Sequence, residues 1–178
     1  CNRDYDIVGI VTQPDRPKGR GQKLAFSPVK ETAVKYDLPV YQPERVKTDD
    51  FVKTLKKLHP DIIVVVAFGQ ILPKAILDIP QFGCINVHAS LLPSLRGAAP
   101  IHWAIINGHS VSGVTTMFMD VGMDTGDMIL KASTPITDTM TTGELHDLLK
   151  HLGASVLDET LRLVLSGTAP RTPQDHSK

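Results

Sequence analysis

The chain has 178 residues, a length that suits one domain with a sizeable buried core. Its 19 basic residues balance its 19 acidic ones, which excludes a uniformly basic protein that coats nucleic acid and leaves local patches open. The longest apolar run, residues 62–68, is far shorter than the ~20 residues that cross a bilayer. The two cysteines, Cys1 and Cys84, form neither a metal-ligand spacing nor a disulfide framework, so we expect a reducing compartment.

Hydrophobic patterning predicts that strands and helices alternate along the chain. Strands are predicted at residues 6–12, 38–41, 61–68, 84–88, 111–118 and 128–133, and helices at 27–36, 48–58, 73–77, 100–107 and 142–165. The Ile/Val run within 61–68 is typical of a strand that is buried on both faces of a parallel sheet. The alternation predicts an α/β fold with an open, mostly parallel, twisted sheet flanked by helices.

Three further segments have distinct patterns. The last predicted helix carries apolar residues at helical spacing, which predicts a core-facing stripe that includes Leu145, Leu148 and Leu149. Residues 13–26 are rich in Gly, Pro and basic side chains and are predicted to form a loop. Residues 171–178 are polar and contain proline, a pattern typical of a linker.

Asn86 and His88 stand at the end of the predicted strand 84–88. Because side chains alternate along a strand, both lie on the same face. In an open α/β sheet, ligands bind at the carboxyl ends of the strands. A histidine and an amide side by side there can supply a proton acceptor and a neutral donor to a carbonyl oxygen. From these residues alone, a structural histidine beside an Asn that bonds a turn accounts for the pattern better.

Residues 120–127 hold three carboxylates, Asp120, Asp124 and Asp127, together with two glycines. Asp124 is a candidate to orient a histidine and stabilise its charged form, as in a catalytic triad. A calcium loop is a weaker hypothesis, because the spacing lacks the closing Glu of an EF-hand. On spacing alone, a tight turn whose aspartates bond their own backbone is the better explanation.

Basic side chains cluster in residues 13–24, where a single acid, Asp15, accompanies four cations. The cations are Arg16, Lys18, Arg20 and Lys23. Basic residues separated by Gly and Pro suit a loop that follows a phosphate backbone. A solvated surface loop is an equally good explanation of the same residues.

Three motifs in this chain resemble those of the folate-dependent formyltransferases. Residues 85–101 (INVHASLLPSLRGAAPI) resemble the family signature, in which an Asn and a His one residue apart precede Ser-Leu-Leu-Pro. Residues 119–127 (MDVGMDTGD) resemble the turn that carries the family's aspartate, and residues 68–72 (FGQIL) resemble a segment that lines the folate pocket. The motifs stand in the family's order, and the resemblance covers nearly the whole chain.

The resemblance implies a Rossmann-like fold and a set of site residues. The catalytic residues that it implies are Asn86, His88 and Asp124. The folate-binding residues that it implies are Phe68, Gly69, Gln70, Ile71, Leu72, Ser90, Leu91, Leu92 and Pro93. It further implies 10-formyltetrahydrofolate as the formyl donor, and it implies no metal.

The basic loop narrows the acceptor that the resemblance implies. Residues 12–23 look like the tRNA-contacting loop of the family members that formylate methionyl initiator tRNA for translation initiation. Arg16, Lys18, Arg20 and Lys23 would then bind the tRNA. We expect a monomer of the bacterial cytoplasm, with an organelle as the alternative compartment.

Other acceptors within the family are an amino-sugar nucleotide, glycinamide ribonucleotide and water, the last of which would make the protein a hydrolase. A non-catalytic RNA-binding domain is an alternative from another class. The resemblance also implies a domain division, with residues 1–168 as the catalytic domain, lacking the family's usual first strand. Residues 169–178 would begin a linker to a C-terminal β-barrel domain.

Overall fold

The computed structural model describes residues 5–18, 23–175 and 177 of the chain. The chain divides into two compact units. Unit 1 comprises residues 1–60 and 68–79, and unit 2 comprises residues 61–67 and 80–178. The expected domain boundary at residue 168 stays a prediction.

The described residues of unit 1 form two small pairs of strands and three helices. Its elements are β1 (Ile10–Val11), β2 (Arg16–Lys18), β3 (Lys23–Ala25), α1 (Pro28–Lys35), β4 (Val40–Tyr41), α2 (Asp49–Lys57) and α3 (Lys74–Leu77). Strand β1 pairs with β4 in parallel, and β2 pairs with β3 antiparallel. The prediction that residues 13–26 form a loop throughout is therefore wrong. Strands β2 and β3 have three residues each, too few for a period-two pattern to reveal them.

The first helix of unit 1 begins where its capping residues predict. Ser27 Oγ accepts a hydrogen bond from the backbone N–H of Lys30 at 3.1 Å, and Pro28 occupies the first helical position. Helix α2 buries its apolar face, which consists of Phe51, Val52 and Leu55. Both helices thus follow from local sequence signals.

Asp15 lies just before the β2–β3 hairpin and is held by two side chains of unit 1. The ammonium group of Lys30 forms an ion pair with Asp15 Oδ2, and Gln42 Nε2 donates to Asp15 Oδ1 at 2.8 Å. The hydrogen bond from Lys30, followed by the one from Gln42, lowers the pKa of the Asp15 carboxyl. Lys30 Nζ also lies 4.0 Å from the centroid of the Phe26 ring, beyond the hairpin. Asp15 and Phe26, which flank the hairpin, thus both contact the ammonium group of Lys30.

In unit 2, the part of the chain that the structure describes forms a four-stranded sheet and two helices. Its elements are β5 (Ile63–Val66), β6 (Cys84–His88), α4 (Pro100–Ile106), β7 (Val111–Phe118), β8 (Met128–Pro135) and α5 (Thr142–Leu165). The strand order is β5-β6-β7-β8, in which β5 and β6 are parallel and the two later pairings are antiparallel. Helix α5 packs against β7 and β8. The predicted α/β class, with open sheets flanked by helices, is confirmed.

Strand β5 differs from the prediction of burial on both faces. It lies at the edge of the sheet of unit 2, and alternate side chains are exposed, Val64 by 37% and Val66 by 56%. An Ile/Val run shows that both faces of a strand are apolar. It does not show which residues, if any, cover them.

Helix α5 has both of the ends that its sequence predicts. Thr141 and Glu144 form a reciprocal capping box at its start, and Gly167 follows its last turn with a φ of +71°. Leu145 and Leu149 join Ala104 and Val114 in a buried cluster. Leu148, predicted to face the core, is instead 46% exposed, because the buried stripe runs through the small residues Gly153 and Thr160.

Asp15 makes the stability of unit 1 depend on pH. Because the pKa of its carboxyl is lowered in the folded state, its contribution is present above the usual value of about 4 and is lost as pH falls through the folded value. We expect Asp15→Asn to lower the free energy of unfolding at pH 7, and the difference from wild type to shrink below about pH 4. Urea unfolding across this range measures it, with the exposed Asp138→Asn as control. A difference that is constant with pH would contradict the assignment.

Candidate active site

Strand β6 places Asn86 and His88 side by side on one face of the sheet, as the alternation predicts. In the register of the sheet, Asn86 lies opposite Met117 and His88 lies opposite Thr115, both on β7. His88 is only 6% exposed, whereas Asn86 is half-buried. The strand therefore presents an amide and an imidazole at its carboxyl end.

The carboxylate of Asp124 meets both of these side chains. Asn86 Nδ2 donates to Asp124 Oδ1 at 3.2 Å, and the backbone N–H of Gly97 donates to Asp124 Oδ2 at 2.9 Å. His88 Nδ1 lies 3.6 Å from Asp124 Oδ2, which is beyond hydrogen-bond distance. The three residues predicted as catalytic are thus brought together within unit 2.

The other nitrogen of His88 is occupied by the backbone. His88 Nε2 lies 2.9 Å from the carbonyl oxygen of Leu95. Because a carbonyl only accepts, Nε2 carries the hydrogen in this contact. Leu95 has a left-handed backbone conformation, with a φ of +56°. The imidazole is thereby fixed at one nitrogen, and its Nδ1 edge faces Asp124.

The three aspartates of residues 120–127 have three different roles. Asp120 Oδ1 accepts bonds from the Gly122 N–H at 2.9 Å and from Thr125 Oγ1 at 2.7 Å, so for Asp120 the structural explanation holds. Asp127 Oδ2 lies 3.6 Å from a guanidinium nitrogen of Arg171. Asp124 alone of the three faces Asn86 and His88.

Residues 90–93, predicted to bind folate, form the loop after β6, and half of their side chains are interior. Ser90 and Leu92 are each 1% exposed, whereas Leu91 and Pro93 are half-buried. Ser90 Oγ donates to the carbonyl of Ser94 at 2.6 Å. If Ser90 or Leu92 contacts a ligand, the contacting atoms would therefore be those of the backbone rather than the side chain.

A buried threonine that the sequence did not single out holds this loop. Thr115 Oγ1 donates to the carbonyl of Ser90 at 2.7 Å and accepts from the N–H of Leu92 at 3.1 Å. Lys131 Nζ also donates to the carbonyl of Leu92. Thr115 lies in a strand that is rich in β-branched residues. The sequence alone therefore does not distinguish a threonine that holds a loop from one that only packs in the core.

The other predicted folate residues, Phe68, Gly69, Gln70, Ile71 and Leu72, belong to unit 1. Within that unit the Phe68 carbonyl accepts a bond from Gln13 Nε2, and the N–H of Val46 donates to Gln70 Oε1. Ile71 is exposed, Leu72 is buried, and Gly69 has a φ of +78°. The exposed side chain of Ile71, two residues along the chain from Gly69, is available to a flat ligand.

The predicted tRNA-binding residues also belong to unit 1. Arg16 has an exposed side chain at the start of β2. The backbones of Lys18 and Lys23 are paired across the hairpin. Arg20 lies outside the described residues.

Gln174 is a site neighbour that the sequence missed, because it stands in the polar segment predicted as a linker. Its side chain is 5% exposed and donates to the carbonyls of Asp124 and Gly126, each at 2.8 Å. Its own oxygen accepts a bond from Arg96 Nε at 2.8 Å. No periodicity or motif in residues 171–178 distinguishes this glutamine from a solvated one.

Other features of the described chain lie away from this site. Among residues 5–18, 23–175 and 177, no three His, Cys, Asp or Glu side chains are grouped so that they could hold a metal ion. Each described helix is too short or too polar to cross a membrane. Two open grooves, of about 440 and 350 Å³, run along α5, and their linings contain neither His88 nor Asp124.

The fold is similar to that of solved formyltransferases. Phosphoribosylglycinamide formyltransferase from Bacillus halodurans matches with a TM-score of 0.76 at 24% identity, over 92% of this chain and 82% of that one. The formyltransferase PseJ from Anoxybacillus kamchatkensis, solved with UDP-4,6-dideoxy-4-formamido-L-AltNAc and tetrahydrofolate, matches with a TM-score of 0.68 at 23% identity, over 94% and 82% of the two chains. At these identities the likeness defines the fold, which is the Rossmann-like fold of formyltransferases.

Sequence comparison defines the family. The formyl transferase family model matches residues 2–161, and the chain therefore belongs to the formyl transferase family. Among its relatives are methionyl-tRNA formyltransferases from Clostridioides difficile, 59% identical over 99% of the chain, and from Acetivibrio thermocellus, 58% identical over 98% of it. The chain spans 57% and 56% of the lengths of these two proteins, a little over half.

The turn that carries Asp124 depends on Gly126. A Cβ at this position would lie 1.8 Å from the backbone oxygen of Phe118, so Gly126→Ala must displace the turn. We expect the free energy of unfolding to fall by about 1–3 kcal/mol, or more. Gly143→Ala is the matched control, since its Cβ would meet only Thr141 Oγ1 at 3.9 Å in the first turn of α5. Equal unfolding free energies for the two variants in urea would contradict the expectation.

Proposed function

We propose that this chain is the part of a methionyl-tRNA formyltransferase that carries the chemistry. In this reaction a formyl group moves from 10-formyltetrahydrofolate to the α-amine of methionyl initiator tRNA. The observation that carries the proposal is the convergence of Asn86, His88 and Asp124 at the carboxyl end of β6. Relatives of that name, 59% and 58% identical, support the choice of acceptor.

Asn86 and His88 would stabilise the negative charge that develops on the formyl oxygen as the amine attacks. An amide group has two N–H hydrogens, and Asp124 engages the Nδ2 of Asn86 at 3.2 Å through one of them. The second is available to a substrate oxygen. Because Nε2 already donates its hydrogen to the Leu95 carbonyl, His88 would donate to the substrate through Nδ1 in its protonated form. Asp124 Oδ2 lies 3.6 Å from Nδ1, beyond hydrogen-bond distance, and leaves that edge to the substrate.

Asp124 would act on these two donors rather than on the formyl carbon. Its oxygens would orient the Asn86 amide and face the imidazole of His88. As the new bond from nitrogen to carbon forms and the bond to the folate nitrogen breaks, the amine loses a proton. Asp124 and His88 would pass that proton, directly or through water, to the departing folate nitrogen, which leaves as an amine.

The residues fit a folate as formyl donor. The donor supplies an activated formyl group, and this chain would supply the surfaces that hold it. Residues 90–93 adjoin His88 along the chain, while residues 68–72 offer the exposed Ile71 near Gly69. We infer that residues 90–93, within unit 2, hold the folate, and folate binding by residues 68–72 stays a prediction for unit 1. The PseJ formyltransferase, whose fold is similar, was solved with tetrahydrofolate.

The basic residues of the hairpin would hold the tRNA. Arg16, Lys18, Arg20 and Lys23 stand in or between β2 and β3, whose base is tied by Asp15 to Lys30. Phosphate contacts of this kind position a nucleic acid without reading its sequence.

Loss of a donor to the formyl oxygen should slow the reaction steeply. We expect His88→Ala and Asn86→Ala each to lower kcat by about 100- to 1,000-fold, the usual effect of removing such a donor. The assay follows labelled 10-formyltetrahydrofolate in the intact protein, with His102→Ala, an exposed histidine of α4, as control. A wild-type rate in His88→Ala would refute the proposed site.

The same assay identifies the formyl acceptor when several candidate acceptors compete for the label. Methionyl initiator tRNA, an amino-sugar nucleotide, glycinamide ribonucleotide and water are offered together. We expect the label on the tRNA. Label on another acceptor would keep the family chemistry and refute the proposed substrate, and label in free formate would identify a hydrolase.

The hairpin should govern tRNA affinity rather than chemistry. Replacing its four cations, Arg16, Lys18, Arg20 and Lys23, with Ala should raise KM for the tRNA and leave kcat nearly unchanged. The dependence of binding on salt should weaken by about one unit of slope for each phosphate that the protein no longer binds. The control removes the same charge elsewhere in unit 1, by replacing the exposed Lys47, Lys53, Lys56 and Lys57. Equal effects of the two sets would mean that only net charge matters.

A further inference from the structure

We propose that Gln174 is a positioning residue that sets the place of the Asp124 carboxylate, an inference that rests on the proposed function. Gln174 lies beyond the part of the chain that the family model matches, residues 2–161. It is nevertheless almost completely buried, and all of its polar side-chain atoms are bonded to the two loops that form the site.

The amide nitrogen of Gln174 holds the turn that carries Asp124. Nε2 donates one hydrogen to the carbonyl of Asp124 and the other to the carbonyl of Gly126, both at 2.8 Å. Asp124 has a φ of +55°, a left-handed conformation that is disfavoured for residues other than glycine. Such a conformation persists where surrounding contacts fix it, and the bonds to Gln174 fix it on its carbonyl side.

The amide oxygen of Gln174 holds the opposite loop. Oε1 accepts from Arg96 Nε at 2.8 Å, and Arg96 Nη2 reaches the carbonyl of Asp175 at 3.4 Å. The next residue, Gly97, donates its N–H to Asp124 Oδ2 at 2.9 Å. The buried side chain of Gln174 therefore links Arg96, which precedes Gly97, to Asp124, which accepts the bond from Gly97. This link sets the distance between the two loops.

The segment around Gln174 is itself attached at a second place. Met128 and Thr172 exchange both of their backbone hydrogen bonds, at 2.9 and 3.0 Å. The guanidinium of Arg171 lies 3.7 Å from the centroid of the Phe118 ring. Residues 171–174 thus lie along the base of the turn, and the glutamine reaches the turn from a fixed backbone.

Positioning of Asp124 can be measured without catalysis, through the amide of Gly97. Its N–H donates to Asp124 Oδ2, and we expect this bond to slow hydrogen exchange at Gly97. In the intact protein we expect Gln174→Met to speed exchange at Gly97 by at least about tenfold while the core strands stay protected. Gln174→Glu should do the same, because it keeps the acceptor for Arg96 and loses both donors. Thr172→Ala is the control, since Thr172 is held through its backbone.

The importance of that position for the reaction is measured by a double-mutant cycle. We expect Gln174→Met to lower kcat by about 10- to 100-fold in the wild-type background, the cost of a misplaced catalytic group. In the Asp124→Asn background the same change should cost less than about threefold, because Gln174 acts through Asp124. A purely structural role would lower Tm and give equal losses in both backgrounds.

The outcomes separate this inference from the proposed function. Unchanged exchange at Gly97, or faster exchange there with an unchanged kcat, would overturn the role of Gln174. Equal losses of kcat in the two backgrounds would overturn it as well. A wild-type protein that does not formylate methionyl-tRNA would refute the proposed function instead, and exchange at Gly97 would still decide whether Gln174 places the carboxylate.

Discussion

A carboxylate that is largely removed from water requires hydrogen-bond donors, and the site in unit 2 is built around this requirement of Asp124. The donors come from distant parts of the chain, the amide of Asn86 on β6 and the backbone of Gly97 in the following loop. His88 faces the same oxygen as Gly97. Because an unsatisfied buried charge is costly, the strand, the loop and the turn must keep their relative places.

The same turn shows how a polar loop can be rigid. Within the turn, the Asp120 carboxylate accepts a bond from the Gly122 N–H, and Arg171 pairs with Asp127 at its end. Gln174 donates to two of its backbone carbonyls. Among the described residues, no buried side-chain nitrogen or oxygen lacks a hydrogen-bond partner. A fully satisfied network of this kind holds its members in one arrangement, which a catalytic carboxylate requires.

Local signals in the sequence were enough to predict most of the helices and strands. The predicted bounds of α1 and α5 agree with the structure to within about one residue, because capping involves groups only a few residues apart. The β2–β3 hairpin was missed because its strands are too short for a period. The exposed face of β5 and the outward Leu148 were missed because apolar character does not specify what packs against it.

The sequence by itself determined the α/β class, the order of the elements and, through the motif around Asn86 and His88, the family. These depend on contacts between near neighbours and on residue types at fixed spacings. The resemblance singled out Asp124 among the three aspartates, but spacing alone did not. The tertiary structure decided that Asp124, and neither Asp120 nor Asp127, faces His88, since all three share one turn and differ in what lies across space from them. It also decided that Gln174 is interior, because burial of a glutamine depends on acceptors supplied about 50 residues earlier in the chain, at Asp124 and Gly126.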